Sequence, residues 1–460
     1  MPDRNSDQSR LAVVKGPDVA MVVVAALMVT SAPVAAETMD KLNAQLESLQ
    51  RRLESLEAIE RRRAKRRLAP AAAVEAGAKP RSWKLPGTNT SMRIGGYVKL
   101  DLIYDVNANA GDTLGATDVP IDGSSPGNRQ GNWRLHARQS RFFIRTWTPT
   151  DWGELSTHIE GDFFGTGGNQ VISNSNSFGL RRAYGSLGPV LAGQTWSNFG
   201  APEGEPETLD FGGPPGVISN RQAQIRYTHS FGAGTTLALA IENPETGLII
   251  SINPVSAAGL GLGPSTDPLP DFTFRLQHQW DGSSASFSGI FRRLNVDNGG
   301  GNSASAFGWG LTAGLGWRFN KGKTAIGGTV YGGKGIGRYT TMAFTSAVYN
   351  GTSTANQSLD TVLVIGGQVW LNHAWSDTIR TNVGYGRAYA NAQSANKSAG
   401  GGKNGLGAYS QDTWRGWANL IWSPVNDVEI GIEYIYSFRG EANSANGKAH
   451  RIQVSFQYNF

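Results

Sequence analysis

The sequence predicts an all-β protein: a 16-stranded antiparallel transmembrane β-barrel, preceded by an N-terminal periplasmic coiled-coil helix. Three observations support this fold class. From residue 92 onward, segments of about ten residues alternate apolar and polar side chains, as strands with one lipid-facing side require. Short turns and long loops alternate between these segments, and aromatic residues collect beside the short turns.

Residues 1–36 are predicted to be a secretory signal peptide. Three basic residues precede the apolar run VAMVVVAALMVTSA, and small residues precede a cleavage point after Ala36. The run is shorter than the ~20 apolar residues of a spanning helix, so a permanent membrane anchor is the less favoured alternative. The mature chain is expected to begin at Glu37, outside the cytoplasm. Its lack of cysteine is compatible with an oxidising compartment.

Residues 37–68 are predicted to form a coiled-coil helix. Apolar residues recur there at spacings of three and four, as the a and d positions of a heptad repeat do. They are Met39, Leu42, Leu46, Leu49, Leu53 and Leu56. A helix with this stripe cannot bury it alone, which favours self-association; a single amphipathic helix packed on another surface is the alternative.

Residues 69–91 form an Ala/Pro-rich linker that follows a basic run. The formal charge of the whole chain is +6. Residues 37–87 contain 12 Lys or Arg and 7 Asp or Glu, whereas residues 88–460 contain 27 and 26, so the basic surplus lies mostly in the N-terminal segment. No nucleic-acid partner is predicted, and contact of this segment with the cell wall or with anionic lipid stays open.

Residues 92–460 are predicted to be the barrel domain, in which seven short turns and eight long loops join the strands. The long loops are expected at 107–132, 165–178, 197–220, 243–270, 293–304, 334–358, 390–411 and 439–447. An open sheet edge would leave backbone amides unpaired in hydrocarbon. The last strand, RIQVSFQYNF, is therefore expected to pair with the first, which contains RIGGYVKLDL.

Large aromatic side chains fall beside the short turns, where a bilayer interface selects them. They are Trp147, Trp152, Phe231, Trp280, Trp317, Phe319, Trp375 and Trp422. In a secreted soluble β-protein, the alternative, aromatics would have no reason to collect at one end of the hairpins.

The polar side of the alternating strands is predicted to line the lumen. The basic residues expected there are Lys99, Arg141, Arg145, Arg182, Arg226, Arg275, Arg292, Arg380, Arg415 and Arg451. The acidic residues expected there are Asp101, Glu160, Asp162, Glu429 and Glu433. The alternation does not orient Arg138 or Arg181. About half of the arginines are expected only to pair with carboxylates; unpaired ones favour anions.

The third long loop carries four acidic residues among prolines and glycines, which suit an irregular but constrained segment. They are Glu203, Glu205, Glu207 and Asp210. Folding of this loop into the lumen as a constriction is favoured over an exposed loop.

An outer-membrane enzyme is the main competing class. His158, Glu160 and Asp162 share one face of a strand, but no activated nucleophile accompanies them. The glycine-rich segment GGKGIG lies in a loop, not between a strand and a helix, and no metal-ligand spacing is convincing. No catalytic residue, metal or cofactor is therefore predicted.

Several segments resemble the DcaP-like porins of Gram-negative outer membranes: ARQSRFFIRTWTPTDWGEL, HIEGDFFG, LRRAYGSLGPVLAGQTWSNF, LDFGGPPG and RQAQIRYT. The resemblance is dense over residues 133–229 and weaker beyond. It implies a homotrimer of 16-stranded channels with a periplasmic coiled coil and a basic lumen suited to small anions such as dicarboxylates. It also implies that the third loop bends into the pore and that Phe460 is an assembly signal read by the barrel insertion machinery.

The expected function is that of an outer-membrane porin, not an enzyme, for passive diffusion of small hydrophilic solutes, preferentially carboxylates or dicarboxylates. A non-selective general porin and a structural tether between the outer membrane and the cell wall are the alternatives. The expected surroundings are outer-membrane lipid and lipopolysaccharide, with the N-terminal segment in the periplasm.

Overall fold

The computed structural model describes the N-terminal helix and most of the residues that follow it. The described residues are 34–68, 74–115, 118–165, 167–169, 171, 173–246, 249–251, 267–297, 303–341, 344–350, 358–396 and 409–460. Two compact units divide the chain, Met1–Val74 and Glu75–Phe460. Most of the predicted signal peptide lies outside the described residues, as do residues 69–73 of the predicted linker.

The first unit contains one helix, α1 (Val34–Leu68). Within the described ranges, no helix combines the length and the apolar character that crossing a membrane needs. The leucines at 42, 46, 49, 53 and 56 are each 52–62% exposed on α1. These leucine side chains are thus exposed in the part of the chain that the structure describes, and the coiled coil remains a prediction.

The second unit is a closed antiparallel barrel. Its sheet contains 18 strand segments, of which two form one interrupted barrel strand and one, Trp83–Lys84, only extends the edge of the first strand, leaving sixteen. The barrel strands are β1 (Ser91–Asp105), β2 (Asn132–His136 and Arg141–Thr150), β3 (Gly153–Asp162), β4 (Gly179–Leu187), β5 (Val190–Trp196), β6 (Arg221–Gly232), β7 (Thr235–Glu242), β8 (Asp271–Trp280), β9 (Ser283–Asp297), β10 (Ser303–Phe319), β11 (Thr324–Lys334), β12 (Leu363–Ala374), β13 (Ile379–Asn391), β14 (Ser410–Trp422), β15 (Val428–Glu441) and β16 (Asn446–Asn459).

Pairing of the last strand with the first closes the barrel, which confirms the predicted closure. The register runs from Tyr97 opposite Asn459 to Asp105 opposite Arg451. Beyond β16, the backbone N–H of Phe460 donates to Gly96 O at 3.0 Å and its carbonyl accepts from Gly96 N at 3.2 Å. The chain end is thereby joined to β1, and no barrel strand is left with a free edge.

Strand length differs from the prediction at two of the long loops. The loops expected at 293–304 and 439–447 shrink because β9 extends to Asp297, β10 begins at Ser303, and β15 and β16 leave only residues 442–445 between them. These strand ends contain Ser, Asn and Gly, which are typical of loops, so the sequence predicts loops there. Antiparallel pairing beyond the apolar band tolerates such polar residues because both faces can meet water.

The interior of the barrel contains a hydrophobic core, which the alternation pattern does not predict. Residues of the third loop (197–220, hereafter loop 3) and of the sixth loop (335–362, loop 6) pack on the inward faces of β9, β11, β12 and β13. The buried cluster includes Phe199, Ile218, Ile290, Tyr331, Tyr339, Phe344, Val348 and Val364. Loops 3 and 6 therefore fill part of the lumen on this side.

A buried polar network holds loop 6 to the wall beside this core. Tyr339 Oη donates to Asp271 at 2.6 Å, and Gln222 Nε2 donates to Tyr339 Oη at 2.7 Å. Arg292 Nε lies 3.3 Å from Asp271, and its NH1 and NH2 groups donate to the Gly335 and Glu245 carbonyls at 3.1 and 2.6 Å. The polar groups of β6, β8 and β9 thus fix loop 6, because buried polar groups need such partners.

Candidate functional site

Loop 3 lies inside the barrel, where wall residues hold its backbone. Lys99 Nζ on β1 and Gln453 Nε2 on β16 donate to Leu209 O at 2.7 and 3.1 Å. On the opposite stretch of the loop, Trp370 Nε1 on β12 donates to Gly204 O at 2.7 Å. The Leu209 N–H donates to Glu433 at 2.9 Å. These bonds reach the loop from strands far apart in sequence, so the loop crosses the lumen.

Acidic side chains of loop 3 pair with one side of the barrel. Arg380 on β13 donates to Glu207 at 2.6–3.0 Å and to Glu429 at 2.6 Å. Asp210 lies between Arg415 on β14, at 3.4 Å, and Arg451 on β16, at 3.1 Å. We call Arg380, Arg415 and Arg451 the anchor wall, because their carboxylate partners hold loop 3.

Asp210 is the buried centre of this anchor. Burial alone would raise the pKa of its carboxyl, but Arg415 and Arg451 outweigh burial, so the pKa of Asp210 lies below its usual range. The backbone N–H groups of Leu114 and Gly212 also donate to it, at 3.1–3.2 and 2.9 Å. Asp210 therefore stays ionised and ties loop 3 and the loop between β1 and β2 (106–131, hereafter loop 1) to β14 and β16.

A second group of arginines projects inward from β2, β4, β6 and β8. We call this group the arginine wall; it comprises Arg141, Arg145, Arg181, Arg182, Arg221, Arg226 and Arg275. Glu160 and Asp162 on β3 are its nearest carboxylates: Arg181 lies 3.0 Å from the first and 2.6 Å from the second. Among the described residues, Arg145, Arg221, Arg226 and Arg275 have no ion pair within 4.0 Å. The arginine wall therefore carries a net positive charge.

A β-bulge explains why the sequence pattern could not orient Arg181. Opposite β3, Glu160 pairs with Arg182, but Gly161 pairs with Leu180, so Arg181 is an extra residue in β4. A bulge of this kind interrupts the strict alternation of side chains. Both Arg181 and Arg182 consequently approach Glu160, at 3.0 and 3.7 Å.

Aromatic rings support the guanidinium groups without neutralising them. Arg221 and Arg182 lie over the Trp196 ring, 5.0 and 5.9 Å from its centroid. Arg141 lies 5.4 Å from the Tyr97 ring and Arg181 lies 5.4 Å from the Phe211 ring. A ring face attracts the cation and limits its motion while leaving its N–H donors available to a solute.

A cavity of ≈ 260 Å³ separates the arginine wall from loop 3. Arg141, Arg181 and Arg221 line one side of it, and Glu205 and Phe211 of loop 3 line the other. Planar guanidinium groups donate two parallel hydrogen bonds to a carboxylate. Several such groups around one polar cavity can therefore receive a small anion.

The structure separates the predicted basic residues into two sets. Arg141, Arg145, Arg182, Arg226 and Arg275 belong to the arginine wall, and Arg380, Arg415 and Arg451 belong to the anchor wall. Four predicted residues project inward but are buried: Lys99, Arg292, Arg415 and Arg451 are 3%, 3%, 1% and 0% exposed. Loops 3 and 6 and the loop between β7 and β8 (243–270) contact them, so they do not line open lumen.

The acidic residues of loop 3 also separate. Glu207 and Asp210 are held in ion pairs, and Glu203 accepts a hydrogen bond from Ser286 on β9. Glu205 instead is exposed and lines the cavity opposite the arginines. Glu205 is therefore the exposed carboxylate of loop 3 at the cavity, whereas Glu203, Glu207 and Asp210 bond to the wall.

Two further arginines complete the comparison with the sequence. Arg138 lies in the break between the two segments of β2 and pairs with Asp112 of loop 1, above the Phe164 ring at 4.9 Å, so it is not part of the cavity. The alternation pattern does not predict that Arg221 lies at the cavity, because Arg221 is an even number of residues before Ile225 and Tyr227, whose side chains face outward. Arg221 is the first residue of β6 and directly follows loop 3. This position in the sequence is the feature that indicates its closeness to the loop.

The chain is similar to known outer membrane proteins. A sequence model of the DcaP outer membrane protein family matches residues 26–249. The outer membrane channel DcaP of Acinetobacter baumannii has a TM-score of 0.67 at 20% identity, covering 84% of this chain and 100% of that chain. OmpF of Salmonella typhi in complex with daunomycin has a TM-score of 0.48 at 11% identity, covering 81% of this chain and 98% of that one. No curated protein sequence matches the chain.

The structural match to the DcaP channel confirms the predicted barrel fold. His158, Glu160 and Asp162 lie on β3 of this barrel, where His158 Nε2 is 3.4 Å from Glu160. The family model matches residues 26–249, just under half of the chain, and the structural match shows that the chain shares the barrel fold of the DcaP channel.

Proposed function

We propose that the lumen conducts small hydrophilic solutes by passive diffusion and prefers anions, carboxylates and dicarboxylates above all. The observation that carries this proposal is the arginine wall, which faces loop 3 across the cavity and in which Arg145, Arg221, Arg226 and Arg275 have no ion pair within 4.0 Å among the described residues. Arg and Lys groups along a pore favour anions because the charge of the wall replaces part of the lost hydration. Loop 3 acts as the constriction.

The spacing of the arginines supports a preference for two carboxylates over one. Arg141, Arg181 and Arg221 line the same cavity, so two guanidinium groups can contact the two ends of one dicarboxylate. Glu160 and Asp162 lie 3.0 and 2.6 Å from Arg181 and compete for it. That competition keeps solute binding weak, which exit from the channel requires.

Planar-bilayer recording under a salt gradient tests the proposal. The reversal potential is expected to show that chloride and dicarboxylates permeate better than potassium. An ohmic channel without charge preference would indicate the alternative, a general porin, and a cation-preferring channel would contradict the proposal outright.

The exposed apolar stripe of α1 supports a homotrimer. Its leucines at 42, 46, 49, 53 and 56 stay 52–62% exposed in a single chain, and a heptad stripe is buried by copies of the same helix. We propose that α1 lies in the periplasm and joins three barrels there. Its basic run could in addition contact the cell wall, which is the tether function.

Deletion of residues 37–74 separates these roles. A pure channel keeps its conductance and selectivity per barrel and loses only part of its trimer yield. If the main role is tethering, the deletion instead weakens the envelope in cells while conductance per barrel is unchanged. Loss of conductance would contradict the proposal that conduction depends on the barrel and not on residues 37–74.

The chain terminus is proposed to carry the assembly signal. The backbone of Phe460 is bonded to Gly96, but its side chain is 52% exposed and free to meet the insertion machinery. Exposed aromatics at the short-turn end, among them Trp152, Trp317 and Trp422, fit an interface with outer-membrane lipid. Lipopolysaccharide would surround the opposite, long-loop end.

A further inference from the structure

Five inward-facing glycines contact loop 3 from the side of the barrel that lies opposite the arginine wall. We call them the glycine seat: Gly310, Gly314 and Gly316 on β10, Gly386 on β13 and Gly431 on β15. None of the five has a positive φ, so their backbone conformation does not require glycine. A side chain is excluded because other atoms already occupy the space into which a Cβ would project.

Each position of the seat touches a loop 3 residue. A Cβ on Gly314 would lie 2.5 Å from Ala201 Cβ, and one on Gly316 would lie 2.4 Å from Glu203 O. A Cβ on Gly386 would lie 2.1 Å from Pro215 O. Two of these atoms are backbone carbonyl oxygens, which cannot avoid the clash by changing rotamer.

The loop contributes small residues to the same contact. A Cβ on Gly204 would lie 2.3 Å from Gly328 O, and one on Gly216 would lie 2.3 Å from Gly367 O. Backbone therefore meets backbone from both sides along β10 to β13. Glycine allows this approach because it has no side chain between the two chains.

We infer that the glycine seat sets the width of the channel. Loop 3 rests on the β10–β15 side at backbone contact, so all remaining width lies between the loop and the arginine wall. The inference rests on the passage proposed at that cavity, but it does not depend on the charge preference of the passage. The seat residues are positioning residues, because they act through loop 3 and touch no solute.

Valine substitutions at the seat test the inference. Contacts between heavy atoms settle near 3.5 Å or more, so a Cβ at 2.4 Å must push the loop backbone by about 1 Å toward the arginine wall. Gly314→Val, Gly316→Val and Gly386→Val are each expected to lose single-channel conductance and to lower the size limit for neutral sugars. Wild-type values for both quantities in all three would overturn the inference.

Gly416→Val is the matched control. Gly416 lies on β14 and faces outward, and its nearest heavy atom would be 4.0 Å from an added Cβ. The substitution has the same chemistry and the same strand context, so wild-type conductance is expected. An equal loss in this control would assign the effect to the strand and not to the seat, and would also overturn the inference.

A smaller substitution keeps the test valid where a valine variant does not fold. Gly314→Ala adds only a Cβ, which would lie 2.5 Å from Ala201 Cβ, and it is expected to lose part of the conductance. Adding Ala201→Gly to this variant removes that contact and is expected to restore part of the lost conductance. Equal conductance in the single and the double variant would show that the loss does not come from contact between the seat and loop 3, and would overturn the inference.

The two proposals fail in different ways. Loss of conductance in the seat variants together with a reversal potential near zero would retain the seat and reject anion preference. Unchanged conductance in the seat variants together with an anion-selective reversal potential would do the opposite.

Discussion

The arginine wall and the anchor wall contain the same residue type in the same inward orientation, yet their arginines have different surroundings. Arg415 and Arg451 are 1% and 0% exposed, and each contacts a buried carboxylate. Arg182 is 25% exposed, and Arg221 has no ion pair among the described residues. Inward orientation therefore does not decide what a lumenal arginine does; the carboxylates that loop 3 supplies to one wall decide it.

Physical chemistry explains why the two walls cannot exchange roles. Removing two charges from water costs several kcal/mol per ion, so the anchor wall is stable only while both signs are present. On the arginine wall, aromatic rings lie against guanidinium groups, and Arg221 over Trp196 has no ion pair among the described residues. A solute anion can therefore act as a partner there, whereas Asp210 already occupies the position between Arg415 and Arg451.

Asp210→Asn should have the largest effect, because it removes the charge that two buried arginines share. Breaking a buried ion pair by losing one partner costs about 3–5 kcal/mol. We expect a lower temperature of unfolding, followed as loss of the heat-resistant folded band, and a noisier conductance as loop 3 loosens. Glu205→Gln is the control in the same loop, and equal unfolding temperatures for the two variants would contradict the distinction between anchored and cavity carboxylates.

Arg221→Gln should have a smaller effect, on selectivity and not on stability. One unit charge at contact distance contributes about 1 kcal/mol in water, which corresponds to about a fivefold change in the ratio of anion to cation permeability. The reversal potential under a salt gradient measures that ratio, and the unfolding temperature should stay at the wild-type value.

Arg387→Gln is the control for this prediction. Arg387 on β13 faces outward, is 59% exposed and pairs with Asp412 at 2.8 Å. Its removal changes the net charge equally but leaves the lumen unaltered. If both variants shift the reversal potential by the same amount, the selectivity comes from net charge and not from the arginine wall.

The parts of this structure that depend on local pattern could be predicted from sequence. Strand alternation and the pairing of strand β1 with β16 follow from the need to face lipid and to leave no open edge. The assignment of roles could not be predicted, because it depends on contacts between residues distant in sequence. Asp210 and Arg451 are 241 residues apart, and only the fold of loop 3 brings them to 3.1 Å.

Local irregularities account for the remaining differences. Strand alternation does not assign Arg181 or Arg221 to the lumenal face, because Arg181 lies in a bulge and Arg221 is in step with outward-facing residues. Both residues nevertheless line the cavity. The alternation pattern does not predict that Phe199 and Tyr339 are buried, because it assumes that every lumenal position faces water. In each case a loop folded into the barrel overrides the strand pattern.

The smallest expected effect concerns the charge that loop 3 presents to the arginine wall. Glu205 is exposed to the lumen, but protein surrounds it on most sides, and this desolvation raises the pKa of Glu205 to about 7, although Arg182 opposes the shift. Its carboxylate is therefore mostly charged at pH 8 and mostly neutral at pH 6. Protonation removes a negative charge opposite the arginines, so anion preference should rise as the pH falls through this range.

The size of this pH effect follows from distance. A unit charge roughly 10 Å away contributes about 0.4 kcal/mol in water, or about a twofold change in permeability ratio. Reversal potentials recorded between pH 6 and pH 8 measure it, with Glu205→Gln expected to give the low-pH value throughout. A pH dependence that survives in Glu205→Gln would assign the titration to another group, and would mean that the only free carboxylate of loop 3 in the described cavity does not tune the wall it faces.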